Sequence, residues 1–262
     1  MKVLIITDLE GISGVDSIEC INMESEAYRQ ACHLLMGDTN AAVDGAFAAG
    51  ATEVVVLDGH GGGRNFIKEE LDSRAIQLPA AAFSPRKFEY GEFDALMCVG
   101  CHAMAGTEKA FLDHTQSSLA WFDYQVDGIS YGEIGQQAIW AGSIGVPLVM
   151  VCGDEKACEE AKALIPNVAT ASVKTAQCRN TAICYPLEEA RKRIYDAAME
   201  GVRRCKEVKP FVISLPTTVQ ITFTRNDYCD NAAEHAAVAV RNGRTLTKTL
   251  NEIGSYLELV SI

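Results

Sequence analysis

The stretch MKVLIITDLEG, residues 1–11, is an apolar run that ends in two acids, Asp8 and Glu10. Similar apolar runs follow within the first 151 residues, and segments with helical periodicity separate them. The runs are VLIIT (3–7), EVVVL (53–57), ALMCVG (95–100) and VPLVMV (146–151). Strands that alternate with helices are typical of an α/β protein, so we predict a mostly parallel sheet flanked by helices.

Two segments between these runs contain glycines that indicate a helix break and a tight turn. Residues 23–50 read as two helices broken near Gly37, since glycine disfavours the interior of a helix. In YQVDGISYG, residues 124–132, the pair Asp127-Gly128 between apolar residues predicts a tight hairpin turn. A helix is expected directly after this hairpin.

The pattern changes from residue 154 onward. It predicts two long helices, a strand and a terminal helix, at 154–165, 185–205, 218–224 and 246–258. We therefore expect a smaller C-terminal α+β lobe, with 1–153 as the metal-binding catalytic domain and 154–262 as the lobe. One continuous domain is the alternative.

The composition narrows the range of partners. The 262 residues are 48% hydrophobic, which allows a substantial core, and 23 basic against 35 acidic residues give a net charge of -12. A surface of this sign repels phosphate backbones and anionic lipids, so no nucleic-acid or membrane partner is expected. A first apolar run too short for a signal peptide and ten cysteines, mostly in apolar runs, predict a cytoplasmic protein with reduced thiols.

Residues 98–102, CVGCH, match the sequence to which haem is covalently attached. The surrounding residues form a better strand than helix, and in a strand Cys98 and Cys101 point to opposite faces, whereas haem needs both thiols on one edge. A thioredoxin-like pair should open a helix instead of ending a strand. Both redox interpretations are therefore disfavoured, and His102, directly after a buried strand, becomes the residue of interest.

Polar side chains follow three of the predicted strands. Asp8 and Glu10 follow the first, His60 the second and His102 the third. Ligands of α/β sheets bind outside the carboxyl ends of the strands, so we expect these side chains to converge. Glu133 joins them as a candidate at the start of the helix after the hairpin, where the helix dipole favours an anion.

Carboxylates together with imidazoles suit Zn²⁺ or a similar divalent ion. Five ligands exceed the need of one four-coordinate ion with an open position, and they suit two ions that share a bridging carboxylate. Two neighbouring acids would also repel each other without a cation. The sequence therefore predicts a two-metal site, although each acid alone is more often a loop cap.

A competing interpretation is a serine esterase. HGGG at 60–63 matches the oxyanion loop of some esterases, and GISYG at 128–132 matches a nucleophile elbow around Ser130. Asp154 and His235 would then complete a triad. An elbow needs a strand that leads straight into the serine, whereas this segment predicts a hairpin, so we keep the esterase as the less favoured alternative. The glycine run lacks the spacing of a phosphate-binding loop, and no nucleotide cofactor is expected.

Several motifs, in their order and spacing, resemble the M55 peptidase family of zinc-dependent D-aminopeptidases. They are TDLEGISG (7–14), DGHGG (58–62), GCHAMAG (100–106), the segment around His114, GEIGQQA (132–138) and IPNVATASVK (165–174). The resemblance is specific over residues 1–175 and looser in the C-terminal lobe.

The resemblance implies two Zn²⁺ ions per chain and a catalytic histidine, His114. The implied metal ligands are Asp8, which bridges the two ions, Glu10, His60, His102 and Glu133. Asp113 stands where the family often has serine before the histidine, a departure that bears on substrate preference and on the pKa of His114.

The expected activity is that of a zinc-dependent aminopeptidase that hydrolyses short peptides with N-terminal D-amino acids. The resemblance also implies a ring-shaped homo-oligomer, with a decamer among the expected sizes. A non-catalytic metal-binding ring protein is a further alternative, and the sequence does not identify the residue that binds the substrate amine.

Overall fold

The computed structural model describes residues 1–79, 92–236 and 239–262. The strands of its larger sheet are β1 (Lys2–Thr7), β2 (Glu53–Asp58), β3 (Ala75–Gln77), β4 (Ala95–Cys101), β7 (Leu148–Asp154), β8 (Ala169–Cys178) and β9 (Thr181–Cys184). Their order in the sheet is β3-β2-β1-β4-β7-β8-β9. All neighbours pair in parallel except β8 and β9, which confirms the predicted mostly parallel sheet.

Helices cover this sheet: α1 (Glu26–Ala48), α2 (Glu133–Ser143), α3 (Glu155–Leu164) and α4 (Leu187–Arg203). The helices α1 and α4 pack against each other and on the strands, and α2 and α3 do the same. Strands β4 and β7 are buried along their whole length, which explains their continuous apolar sequence. Side-chain caps fix two of the helix starts, at Ser25 for α1 and at Asp154 for α3.

The prediction of two helices broken near Gly37 is wrong, because α1 runs through this residue without interruption. A Cβ atom at Gly37 would lie 2.1 Å from the guanidinium of Arg191 on α4, and one at Gly45 would lie 2.4 Å from the carbonyl oxygen of Tyr195. The space at Gly37 lets Arg191 reach the buried carboxylate of Asp38. These glycines are therefore sites of close helix packing, not helix breaks.

The second sheet is antiparallel. Its strands are β5 (Trp121–Val126), β6 (Ile129–Ser130), β10 (Thr217–Phe223), β11 (Val240–Asn242) and β12 (Thr245–Leu250), in the order β11-β12-β10-β5-β6. The predicted hairpin is confirmed: β5 and β6 pair, and Asp127 and Gly128 between them have φ angles of 50° and 79°. The α/β fold with a further α+β part is thus as expected.

The predicted terminal helix over 246–258 is wrong. This region contains β12 and then the short helix α6 (Tyr256–Val260), while α5 (Asn226–His235) precedes β11. Residues 245–250, TLTKTL, alternate between buried and more exposed positions, as half-buried strands do. The side chain of Ser255 then accepts a hydrogen bond from the backbone of Glu258 and caps α6.

The larger sheet takes β8 and β9 from beyond residue 153, and the second sheet takes β5 and β6 from before it. The division into 1–153 and 154–262 stays a prediction about units that fold separately. All ten cysteines lie in the described residues and are free thiols. Within this part of the chain, no helix combines the length and apolar character needed to cross a membrane.

One detail of β4 differs from the simple strand expected. Gly100 has a φ of 84°, and the pairing with β7 shifts register between Val99 and Cys101, so the strand bulges there. The bulge interrupts the regular alternation of side chains, and the thiol of Cys98 donates to Oε1 of Gln137 at 2.7 Å. Both cysteines belong to a buried strand, as expected.

Candidate metal centre

The carboxyl ends of β1, β2 and β4 meet at one edge of the larger sheet. Asp8 follows β1, His60 follows β2 by two residues, and His102 follows β4 directly. Because β1 lies between β2 and β4, its loop has an imidazole on either side. Glu133, the first residue of α2, reaches the same edge. The structure thus brings together all five residues predicted as metal ligands.

Asp8, Glu10 and His60 form what we call the first ligand group. Nδ1 of His60 lies 3.0 Å from Oδ1 of Asp8 and 3.0 Å from Oε2 of Glu10. One potential ligand atom from each of the three residues lies within 4.8 Å of the others. This is a spacing that one divalent cation can span.

His102, His114 and Glu133 form the second ligand group, again with potential ligand atoms within 4.8 Å of one another. Nε2 of His102 lies 3.4 Å from Oε1 of Glu133, and Nε2 of His114 lies 3.8 Å from the same oxygen. The two imidazole rings stack, with centroids 3.8 Å apart and an interplanar angle of 11°. The predicted catalytic histidine therefore lies within reach of the predicted metal ligands.

Asp8 connects the two groups. Its Oδ1 faces His60 at 3.0 Å, and its Oδ2 lies 3.3 Å from Nε2 of His102. One carboxylate therefore presents a different oxygen to each group, as a carboxylate that bridges two cations does.

Two glycines allow the loop that carries Asp8 and Glu10 to lie against the end of β4. The backbone N–H of Asp8 donates to the carbonyl of Val99, and that of Gly11 donates to the carbonyl of Gly100. A Cβ atom at Gly11 would lie 2.0 Å from the carbonyl oxygen of Cys101, and one at Gly100 would lie 2.1 Å from that of Asp8. Only glycine permits this approach.

The orientation of two imidazoles follows from their backbone contacts. Nδ1 of His102 lies 3.0 Å from the carbonyl oxygen of Ala103, and Nδ1 of His114 lies 2.8 Å from that of Leu112. A carbonyl oxygen only accepts hydrogen bonds, so each Nδ1 carries the proton. In the neutral rings, both Nε2 atoms then present a lone pair to the site.

Two buried polar atoms of the site have no hydrogen-bond partner within the described residues, Oε2 of Glu10 and Nε2 of His102. Buried polar atoms are rarely left in this state, because each costs free energy without a partner. One belongs to each ligand group, and both are types of atom that bind Zn²⁺. The donor set therefore fits a pair of divalent cations.

The carboxylates and imidazoles of this pocket shift one another's pKa values. Burial alone would lower the pKa of His60, but Glu10 and Asp8 raise it to about 11. Burial likewise opposes a charged His102, yet Asp8 and Glu133 raise its pKa well above the usual value. Burial would raise the pKa of Asp8 and Glu133, but the nearby imidazoles lower the pKa of both carboxyls. Divalent cations would replace the imidazolium protons that balance these carboxylates.

Sequence reasoning missed two residues that support the site. The ammonium of Lys174, fully buried, donates to the carbonyl oxygens of Glu10 and Val15 at 2.6 and 2.5 Å. The backbone N–H of Gln116 donates to Oε1 of Glu133 at 2.8 Å. The signal for Lys174 was its place in the quoted motif 165–174, as the only charged residue of strand β8. Gln116 gave no such signal.

Two further acids have structural roles. Asp58 accepts hydrogen bonds from the backbone and the side chain of Asn65, so it caps the turn after β2 and does not orient the imidazole of His60. Asp113 pairs with Arg179 at 3.1 Å and accepts from the backbone of Gly106. These contacts direct its carboxylate away from the neighbouring histidine.

The serine esterase arrangement is not favoured. Ser130 belongs to the two-residue strand β6 of a hairpin, and no strand leads straight into it within the described residues. The carboxylate of Asp154 caps α3 and accepts from the backbone of Phe111. His235 is exposed at the end of α5. His60, in the proposed oxyanion loop, faces the carboxylates of the first ligand group instead.

A cleft of about 500 Å³ opens beside His114. Apolar and aromatic side chains line it, among them Met104, Trp121 and Phe122, and Arg179 contributes a positive charge. A space of this size accommodates a small organic molecule or a short peptide next to the cluster.

A mostly parallel sheet, at whose carboxyl edge three carboxylates and three imidazoles lie together, defines the chain as an α/β protein with two groups of side chains that could hold divalent metal ions. The family model of the M55 peptidases, described as D-aminopeptidase, matches residues 1–262. The chain belongs to this family and is a hydrolase that acts on peptide bonds.

Known proteins extend this assignment. The chain is 28% identical, over 247 residues, to a D-aminopeptidase of Bacillus subtilis (strain 168), a match that covers 94% of this chain and 89% of the relative. Among solved structures, it resembles the Zn-dependent D-aminopeptidase DppA from Bacillus subtilis, a self-compartmentalizing protease. The TM-score is 0.91 at 24% identity, over 99% of this chain and 95% of that one, which confirms the fold.

Proposed function

We propose that this chain is an aminopeptidase that removes N-terminal D-amino acids from short peptides through a pair of Zn²⁺ ions. The ligands would be Asp8, Glu10, His60, His102 and Glu133. The family assignment supports the reaction class, and the description of the Bacillus subtilis neighbour as Zn-dependent supports the metal.

The position of Asp8 carries the two-ion part of this proposal. Its two oxygens face the two ligand groups, at 3.0 Å from His60 and 3.3 Å from His102. A single ion would leave one of the two orphaned buried atoms, one in each group, without a partner. Two ions with Asp8 between them satisfy both.

Bound zinc polarises a carbonyl and lowers the pKa of a water, which supplies an electrophile and a nucleophile at neutral pH. The protein's own residues orient these groups. Asp8, Glu10 and His60 would hold the first ion, and His102 and Glu133 would hold the second.

His114 is the proposed catalytic residue. Its Nδ1–H is held by the carbonyl of Leu112, so its Nε2 faces the site as a base, 4.0 Å from Glu10 and 3.8 Å from Glu133. From this position it would attack the scissile carbonyl as a nucleophile, or take a proton and return it to the departing amine. The adjoining cleft would hold the rest of the peptide.

The chain is further proposed to act as a cytoplasmic ring-shaped homo-oligomer, with a decamer as one candidate size. The description of its structural neighbour as self-compartmentalizing supports an assembly of this kind. Sedimentation measurements with purified protein would give the number of chains. A monomer would remove the ring from the proposal without affecting the chemistry.

Metal analysis combined with a substrate panel tests the function. We expect about two zinc atoms per chain, loss of activity with a chelator and recovery with Zn²⁺. Hydrolysis of D-alanyl dipeptides should exceed that of their L-enantiomers, and serine-directed phosphonates should have no effect. Metal binding without hydrolysis of any D- or L-substrate would favour the non-catalytic metal-binding ring protein instead.

A further inference from the structure

Gln116 lies two residues after His114 in an unusual backbone conformation. Its φ angle is 59°, in the left-handed region that residues with a side chain seldom adopt. This conformation directs its backbone N–H to Oε1 of Glu133 at 2.8 Å. A disfavoured conformation persists only where its surroundings hold it in place.

The side chain of Gln116 supplies that restraint. Its amide nitrogen donates to Oε1 of Gln136 at 2.9 Å and to the hydroxyl of Tyr256 at 2.9 Å. The hydroxyl of Tyr256 in turn donates to the same oxygen of Gln136 at 3.4 Å. The three groups close a triangle between the loop after His114, helix α2 and the C-terminal helix α6.

Two of the three residues in this triangle are buried, whereas Gln116 is exposed. Gln136 has no exposed surface and Tyr256 is 6% exposed. Burial raises the pKa of Tyr256 well above its usual value, so its hydroxyl keeps its proton. Gln136 lies one helical turn after Glu133 on α2, which places the anchor and the held carboxylate on the same side of the helix.

We propose that Tyr256, Gln136 and Gln116 form a clamp that positions the carboxylate of Glu133 for zinc. In this clamp the side-chain triangle fixes the backbone of Gln116, and the backbone N–H occupies Oε1 of Glu133. This is the same oxygen that lies 3.4 Å from Nε2 of His102, so the contact fixes the carboxylate oxygen that faces the second ligand group. Tyr256, far along the chain, is thus a positioning residue for the second ligand group, an inference that rests on the proposed zinc function.

A control variant distinguishes the positioning role of Tyr256 from a role in docking α6 alone. The hydroxyl of Tyr124 also anchors α6, by donating to the carbonyl of Leu259 at 3.0 Å, but it belongs to no part of the clamp. Tyr124→Phe therefore removes a buried hydroxyl from the same helix contact. It is the matched control for Tyr256→Phe.

The zinc dissociation constants of the full-length protein, measured by chelator competition, test the clamp. In Tyr256→Phe we expect the weaker zinc to dissociate about 10 to 100 times more readily, the usual effect of losing a group that orients a ligand. Tyr124→Phe should change this constant by less than about twofold. Gln116→Ala keeps the backbone N–H but loses the anchor, so it should match Tyr256→Phe, and the double variant should be no worse than either.

The outcomes separate the clamp from the proposed function. Wild-type zinc affinity in both Tyr256→Phe and Gln116→Ala overturns the clamp while the zinc site stands. An equal loss in Tyr124→Phe also overturns it, because helix docking would then be the cause. A wild-type protein that binds no zinc overturns the proposed function. If Tyr256→Phe fails to fold, Gln116→Ala alone decides.

Discussion

The two ligand groups are similar in composition, but the protein supports them in different ways. A buried charge fixes the loop of the first group, since the ammonium of Lys174 binds the carbonyl oxygens of Glu10 and Val15. Neutral groups support the second, where the backbone of Gln116 binds Glu133. The difference follows from position: the first group lies over the centre of the parallel sheet, and the second lies where α2 and α6 meet.

The two ligand groups also differ in how the negative charge of their carboxylates is balanced. Near the first group, the buried ammonium of Lys174 adds a fixed positive charge beside the backbone of Glu10. The second group has only one acid of its own, and its imidazoles can balance that charge. The first group therefore depends on fixed protein charge, and the second depends on hydrogen-bond geometry.

The largest loss of zinc and of activity is expected from a substitution of Asp8, the residue that both groups share. Asp8→Asn keeps the size of the side chain but removes the negative charge that would bridge the ions. We expect zinc content to fall below one atom per chain and kcat/KM to fall about 10³-fold or more, because both metal positions are affected. Elemental analysis and steady-state kinetics measure the two quantities.

Asp16→Asn is the control for this variant, since Asp16 is an exposed acid a few residues further along the same loop. It should retain metal and activity. If Asp8→Asn lost one zinc and kept the other at full affinity, the idea of a shared carboxylate would be wrong and the groups would be independent.

His114→Ala tests whether His114 acts in catalysis or as a metal ligand of the second group. His114 lies 3.8 Å from Glu133 and stacks on His102, yet we propose that it is catalytic and not a required ligand. Turnover should fall about 10²- to 10⁴-fold, the usual contribution of a general acid or base, with the zinc content unchanged. Loss of one zinc in this variant, matched by His102→Ala, would instead make His114 a ligand.

The positions of the ligands could be predicted because the rule behind them is topological. Parallel strands deliver their carboxyl ends to one edge, so Asp8, His60 and His102 had to lie together once the strands were recognised. Chain connectivity alone brings Glu10 to the same place. The position of Glu133 follows from the turn of the hairpin before α2, which the order of the parallel strands does not determine.

The supporting residues could not be predicted, since their roles depend on contacts between distant parts of the chain. Lys174 and Tyr256 are 164 and 140 positions away from their partners Glu10 and Gln116. Gly37 was misread for the same reason, because its function is to make room for Arg191 on another helix. Local propensity describes a segment and contains no information about what packs against it.

Lys174→Met tests the charge that supports the first group. The change leaves the carbonyls of Glu10 and Val15 buried without their donor, so we expect a loss of about 2 to 4 kcal/mol in the free energy of unfolding. The displaced loop should also lower the zinc affinity of the first group about 10- to 100-fold. Urea denaturation and chelator competition measure these effects.

Lys248→Met is the matched control, because the ammonium of Lys248 is also nearly buried and donates to the carbonyl of Glu258 in α6. It should reduce stability while leaving zinc affinity at the first group unchanged. Equal zinc loss in both variants would mean that general destabilisation, and not the loop, controls the first group.

The pKa of Glu160 reports how strongly the surroundings of the second group are buried. Its carboxylate accepts from the backbone N–H of Met104, two residues after His102, and burial raises its pKa from 4.5 to about 7. Between these values the folded state binds a proton that the unfolded state has released. The contribution of this group to stability is therefore present at low pH and decreases as pH rises from 4.5 to about 7.

Glu160→Gln should remove this dependence. Relative to wild type, the variant is expected to gain about 1 to 3 kcal/mol of stability when the pH is raised from about 5 to about 8. Urea denaturation at several pH values measures the difference. Glu159→Gln, which changes the neighbouring exposed acid, should follow the wild-type curve. Parallel curves for wild type and Glu160→Gln would show that this carboxyl ionises normally.

The smallest loss of activity is expected from a substitution of Ser130, which belongs to neither ligand group. Its side chain is exposed on β6, and its strand reaches α2 only after Tyr131 and Gly132, so it does not occupy the strained turn of a nucleophile elbow. Ser130 also lines the cleft beside His114, so Ser130→Ala should lower kcat/KM by less than about tenfold, the effect of losing one neutral hydrogen bond, and should leave the zinc content unchanged. A loss near that of His114→Ala, together with inhibition by a phosphonate, would place the chemistry on the hairpin. The two ligand groups would then be a structural metal site instead of the centre of catalysis.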